Sequence, residues 1–313
     1  MPARWSPPPP VERPRRPRPR AGRWTLVATA VQVGVLLAVP VVLGATVGFF
    51  EMNPKQAELL APVGSEAHLL LEPFPDDHLI VEIAYQASIG PPPGNAVSTL
   101  FDQINRTCEK SSISLDLHPF TSSATDFGLS DLLSIESSVR QHWPVWGTMS
   151  LFFLYLNGYD AAASSALGEA YRGSSIAIFQ QAIISTTFAH VGGVTAHEVD
   201  ATVMVHELGH DLGLVGTDGY AANEDPHHLG HSSDPTDVMY WGIDTSAYIG
   251  GLTGSVPPTN FSSADLADLR NVRADVIPYE VLPWAVLGAS LLASAVVVVR
   301  ARPARPPAPG PPA

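Results

Sequence analysis

The residue types and spacing with the clearest chemistry lie in Val205-His206-Glu207-Leu208-Gly209-His210-Asp211-Leu212-Gly213. His206 and His210 are four positions apart, and on a helix such positions share a face, so both imidazoles can aim a nitrogen at one ion. Such a pair suits zinc, held about 2.0–2.1 Å from each nitrogen. Glu207 is turned off that axis and is free to take a proton from a water that the metal has acidified. The pattern predicts hydrolysis by metal-activated water, with Glu207 as general base. The plainer alternative is a buried helix with two satisfied histidines.

The elements that must position these residues can be read along the chain. Val199 to Val205 is apolar on one side, which predicts a buried helix from about Ala196 to Leu214. Gly213 stands at its expected end, where a left-handed turn would send the chain back toward the metal. Upstream, His78 to Tyr85 reads as a strand and Asn95 to about Cys108 as a helix, with Val97, Leu100, Phe101 and Ile104 at helical spacing. Ile113 to Phe120 reads as a strand, Ser130 to about His142 as a helix, and Met149 to Leu156 as a strand inside the sheet. Glu169 to Phe179 reads as one further strand at an edge, where an extended peptide can pair by backbone hydrogen bonds. An ordinary strand with a bulge at Gly173 fits the same residues. Ser262-Ser263 caps a last helix from Ala264 to about Val272. This order implies an α/β sandwich with the histidine helix against the sheet.

His206-Glu207-x-x-His210-x-x-Gly213, followed by Met239 in Asp237-Val238-Met239-Tyr240-Trp241, resembles the metzincin metallopeptidases. That family shares an H-E-x-x-H-x-x-G-x-x-H/D pattern and a methionine turn beneath the metal. The resemblance spans residues 78 to 275 in element order, and its specific part is 206 to 241. It implies a mixed twisted sheet with an active-site helix, a methionine turn and a C-terminal helix, with Zn2+ as cofactor and a peptide or protein as substrate. The family's third ligand would fall at position 216, which is Gly216 and has no donor. Asp218, His227, His228 and His231 are the candidates to replace it. In the archaemetzincin branch the third histidine precedes Cys, four residues, Cys, one residue and the methionine. Here His231-Ser232, residues 233 to 236, and Asp237-Val238-Met239 keep that spacing. The resemblance therefore favours His231 as third ligand, on a connection 15 residues longer (216 to 231), with His228 and Asp218 as alternatives. Both cysteine positions are replaced, which argues against a second, cysteine-bound zinc. Met239 is implied as an apolar floor, and Tyr240 as a candidate for the developing oxyanion. Asp225, Asp234 and Asp237 are candidates for a calcium loop or for supporting the histidines; solvated loop acids are the simpler reading.

The chain has 313 residues, a mean hydropathy of +0.13 and a net charge of −13. Residues 1–23 hold seven arginines among prolines and read as a disordered basic tail. Thr25 to Phe50 carries no charge over 26 residues, about 39 Å as a helix. This predicts a membrane helix over 24–50, against a cleaved signal peptide, whose apolar core is shorter. Val281 to Val299 is a second uncharged run, predicting a membrane helix over 281–299, followed by a Pro-rich basic tail at 300–313. Basic flanks stay cytoplasmic, so both termini are expected there, with residues 51 to 280 on the far side. Pro54, Pro62, Pro73 and Pro75 suggest a stalk over 51–76, leaving 77–276 as the metallopeptidase domain. Residues 51 to 280 hold seven basic and 29 acidic side chains, a net −22, which excludes nucleic acid as a partner. Cys108 is the single cysteine, so no intramolecular disulfide forms and no metal-blocking cysteine precedes the domain. The expected function is a membrane-anchored zinc endopeptidase. The alternative is a catalytically inactive metzincin-fold membrane receptor or assembly protein, suggested by the lost ligand at 216.

Overall fold

In the computed structural model, residues 61–188, 194–214, 223–245 and 256–275 are described, with isolated positions 31, 33, 34, 38, 42, 55, 58, 60, 288–290, 292 and 293. The chain divides into two compact units, one of residues 1–44 and 283–313, the other of 45–282. The elements below belong to the second. They are α1 (Ala67–Leu71), β1 (His78–Gln86), α2 (Gly94–Thr107), β2 (Ser112–Phe120), β3 (Asp126–Phe127), α3 (Leu129–Val139), β4 (Thr148–Leu156) and β5 (Tyr159–Asp160). β6 (Gly168–Arg172), β7 (Ser175–Phe179), α4 (Gln180–Phe188), α5 (Ala196–Asp211), β8 (Glu224–Asp225), β9 (His228–Ser232), a short 3-10 helix (Trp241–Asp244) and α6 (Ser263–Asp275) follow.

The main sheet has the order β2-β1-β4-β7-β6, parallel except for β6, which runs antiparallel to β7. β4 is central, and its sequence TMSLFFLYL is buried from Met149 to Leu156. Such an unbroken apolar run belongs to a strand covered on both faces. β2, at one edge, keeps Leu115 and Leu117 exposed. α2 buries Ala96, Leu100, Gln103, Ile104 and Thr107, one stripe of its surface, as an amphipathic helix must. α5 differs, being buried from Val199 through Gly209 and again at Asp211. Thr195 caps its start: the hydroxyl accepts from Glu198 N at 3.3 Å, and Glu198 Oε2 accepts from Thr195 N at 2.8 Å. Its end is fixed by Gly213 at φ +79°, with Gly213 N donating to His210 O at 3.0 Å and Leu214 N to Gly209 O at 2.9 Å. These two bonds are the paired closure of a helix whose last glycine turns left-handed.

Two expectations are corrected. Residues 61–76 are no stalk: Leu69, Leu70 and Leu71 of α1 lie in the core, because three consecutive leucines cannot stay in water beside an open apolar surface. The single strand expected over 169–179 is a hairpin, β6 and β7, with Arg172 opposite Ser175 across Gly173-Ser174. β6 nevertheless takes the expected edge position. The expected membrane helices at 24–50 and 281–299 fall almost wholly outside the described residues, as do both tails. Among the described residues no helix is long and apolar enough to cross a membrane.

A buried ionic cluster ties the early chain to the sheet. Arg140, just past α3, is fully buried and donates to Glu136 Oε1 at 2.8 Å, Ser150 O at 3.0 Å, and Ser174 and Ser175 Oγ at 3.1 Å each. Glu58 Oε1 stands 3.6 Å from the same guanidinium and accepts from Ser174 Oγ at 2.8 Å. Removing Arg140 would leave Glu58 and Glu136 buried with Arg172, 3.8 Å from Glu136, as the remaining counter-charge. Arg140→Met is expected to cost about 3–5 kcal/mol, the typical penalty for breaking such a pair. Chemical denaturation of the variant beside the wild-type chain measures it, and a loss under 1 kcal/mol would show the cluster to be dispensable.

Candidate metal centre

α5 carries His206 and His210 on one face, and their Nε2 atoms come within 3.2 Å of each other. His206 is fully buried, and its Nδ1 lies 2.6 Å from Val238 O. A carbonyl can only accept, so Nδ1 carries the hydrogen and Nε2 is the nitrogen left to face an ion. Val238 precedes Met239, and Met239 is buried directly beneath α5. A Cβ at Gly209 would stand 2.2 Å from Met239 Sδ, so the methionine reaches the helix only because position 209 has no side chain. Met239 thus packs against α5 at the turn between its two histidines.

His231 reaches the pair from β9. Its ring stacks on His206 with centroids 5.3 Å apart and meets His210 edge-on at 4.9 Å. The strand is held there by the methionine turn: Ser232 N donates to Met239 O at 2.7 Å, and Asn223 Nδ2 bridges Ser232 Oγ at 2.9 Å and Asp237 Oδ2 at 3.0 Å. His228 is three residues earlier, and successive side chains of a strand alternate faces, so it points the other way. It stacks on Trp241 at 4.1 Å with its Nδ1 3.2 Å from Asp225. His228 is therefore not brought to the other histidines, and His227 is exposed. Asp218 lies outside the described residues. Tyr240 stands against Trp241, with ring centroids 5.2 Å apart.

The residue that sequence reasoning missed is Asp244, at the end of the 3-10 helix. Its Oδ1 is 2.9 Å from His206 Nε2 and its Oδ2 is 2.8 Å from His231 Nε2. His206, His210, His231 and Asp244 each offer a ligand atom, all within 4.8 Å of one another. Among the described residues this is the single such group of His, Cys, Asp or Glu. Asp225 instead accepts from the amides of His227 and His228, and Asp234 from that of Thr236; among the described residues these acids form no metal-ligating group of their own. Four donors on a tetrahedral zinc would be about 3.3–3.4 Å apart, the edge set by bonds of 2.0–2.1 Å. The shorter spacings observed are close to that edge, and three imidazoles with one carboxylate are donors zinc prefers. The donor set fits Zn2+.

Glu207 lies between β6 and the histidine group, with its carboxyl beside that of Asp244. Its Oε2 accepts from Ala170 N of β6 at 2.7 Å, and the side chain is almost fully buried. Burial raises its pKa well above the usual carboxylate range, and the negative charge of Asp244 pushes the same way. Burial drives His210 down to about 3, helped by the charges of His206 and His231. For His206 burial also opposes the charged form, but the Asp244 carboxylate outweighs it and the net shift is upward. Asp244 is the converse: burial would raise it, and His206 holds it well below the ordinary range.

No family model matches the chain, and no curated protein matches it. Among solved structures it is similar to an archaemetzincin from Methanopyrus kandleri, at 13% identity and a TM-score of 0.43, over 62% of this chain and 95% of that one. It is also similar to metalloproteinase-II from Bacteroides fragilis, at 12% identity and a TM-score of 0.37, over 68% of this chain and 57% of that one. Likeness this distant carries no argument about activity, which rests on the geometry of the site.

Proposed function

We propose that this chain is a zinc-dependent endopeptidase, with His206, His210 and His231 as zinc ligands and Glu207 as general base. The observation that carries the reading is the meeting of three imidazoles, two from one helical turn and one from a strand 21 residues beyond His210. Bound zinc supplies a Lewis acid that polarises a peptide carbonyl and acidifies water. The protein supplies the rest. Val238 O fixes the tautomer of His206, and Met239 supports the helix from below. β6 is the last strand of the sheet, where an extended peptide can pair, and Glu207 is tethered to that same strand. Glu207 takes the proton from the attacking water and returns it to the departing nitrogen.

The membrane placement belongs to the same proposal. Two charge-free runs flanked by arginines would anchor the chain, with both termini cytoplasmic and the acidic domain outside. Val31, Val42 and Leu292, within those runs, are exposed, as lipid-facing side chains are. The second reading, an inactive metzincin-fold membrane protein, is favoured by Asp244, which fills the fourth donor position that a hydrolytic zinc leaves to water.

Glu207→Gln is expected to keep zinc near one equivalent while hydrolysis of an unfolded protein substrate falls by roughly 10²–10⁴. His231→Ala should lose the metal and His228→Ala should retain it, read by metal analysis of the purified chains; the opposite pattern would overturn the ligand set. The chain should also stay with the bilayer through an alkaline carbonate wash, and its release into the supernatant would remove the anchors from the proposal.

A further inference from the structure

We infer that Asp244 is itself a ligand of the ion held by the three histidines, so that the resting site is coordinatively full and opens only when this carboxylate leaves. The inference rests on the reading of the histidines as zinc ligands. It starts from which nitrogens the carboxylate faces. A carboxylate that merely orients a metal-binding histidine accepts from the ring nitrogen turned away from the metal. In His206 that nitrogen is already committed to Val238 O. Asp244 faces Nε2 of His206 at 2.9 Å and Nε2 of His231 at 2.8 Å. Nε2 of His206 is also the atom that meets His210. The carboxylate therefore stands where a fourth ligand stands, with no room for a water between it and the donors.

In each of its two contacts Asp244 is the more exposed partner. The side chain of His206 is 0% exposed and that of His231 19%, whereas that of Asp244 is 29% exposed. An incoming water or peptide carbonyl would arrive from the position that Asp244 fills. The backbone around it is pinned at the same place. Leu167 N donates to Asp244 O at 3.3 Å, and Ala166 forms an antiparallel bridge with Thr245. The segment that carries the carboxylate thus lies along the chain leading into β6, the strand whose edge a peptide would use. One displacement of residues 244–245 would free both the ligand position and the entry to that edge.

The test uses the 313-residue chain loaded with Co2+ in place of zinc, with azide as the probe. In the wild type, azide should leave the visible cobalt spectrum unchanged, because no ligand position is free. Asp244→Ala should bind azide and shift its bands. In chelator competition, Asp244→Ala and Asp244→Asn should each hold zinc about ten-fold more weakly or worse. The asparagine variant keeps the shape of the side chain, and far-UV circular dichroism of both variants confirms that they fold. A wild-type cobalt protein that takes up azide as readily as Asp244→Ala, with zinc affinity unchanged between them, would overturn Asp244 as a ligand while leaving the histidine site intact. Folded chains that bind neither metal, with or without Asp244, would overturn the histidine site and this inference together.

Discussion

The structure depends on what it takes to bury α5. A helix surrounded by protein on nearly every side still carries Asp200, His206, Glu207 and Asp211, and each polar atom taken from water must find a partner or cost several kcal/mol. The partners come from different elements. Asp200 accepts from Tyr155 of the central strand at 3.1 Å, His206 donates to Val238 before the methionine turn, and Glu207 accepts from Ala170 of the edge strand. The helix is thereby registered against sheet, turn and edge at once. Glu207 Oε1 and both oxygens of Asp211 are the exceptions, with no hydrogen-bond partner among the described residues. Burial, with Glu58 and Glu66 adding to it, raises the pKa of Asp211 well above the carboxylate range, which favours the neutral acid.

Close packing on the other side of the helix sets the height of the site. Met239 meets the backbone at Gly209, between the two histidines in sequence, and the hydrogen bond to Val238 O fixes the ring plane of His206. The turn also holds β9 through Ser232, so a single short segment positions His206 from below and His231 from the side. Three nitrogens placed this way stay converged without relying on long, flexible side chains.

Asp244 changes the character of the centre. Three neutral imidazoles leave a bound dication at full charge, whereas an added carboxylate neutralises half of it and favours a closed, four-ligand site. The same carboxylate faces Glu207 with like charge, so the two acids resist being ionised together. A centre built in this way is easier to hold than to use.

The sequence by itself determined what depends on neighbours along the chain. Four-residue spacing put His206 and His210 on one face, and alternating or unbroken apolar runs marked β1, β2 and β4 and their burial. Gly213 ended the helix where its freedom at positive φ was needed. Only the tertiary structure decided between His231 and His228, because the choice turns on which face of a two-stranded ribbon meets α5, and both residues sit near the expected spacing. Gly173-Ser174 became a turn rather than a bulge because β7 pairs with β4 and β6 folds back on it. The leucines of α1 gave no strand or helix period long enough to read, and their place follows from the core they cover. Asp244 carried no local signal at all: one aspartate in Trp-Gly-Ile-Asp looks like any solvated loop acid until folding brings it within 3 Å of histidines 13 and 38 residues earlier. Short-range order follows from covalent spacing, whereas a ligand set drawn from a helix, a strand and a turn exists only once the chain has closed around it.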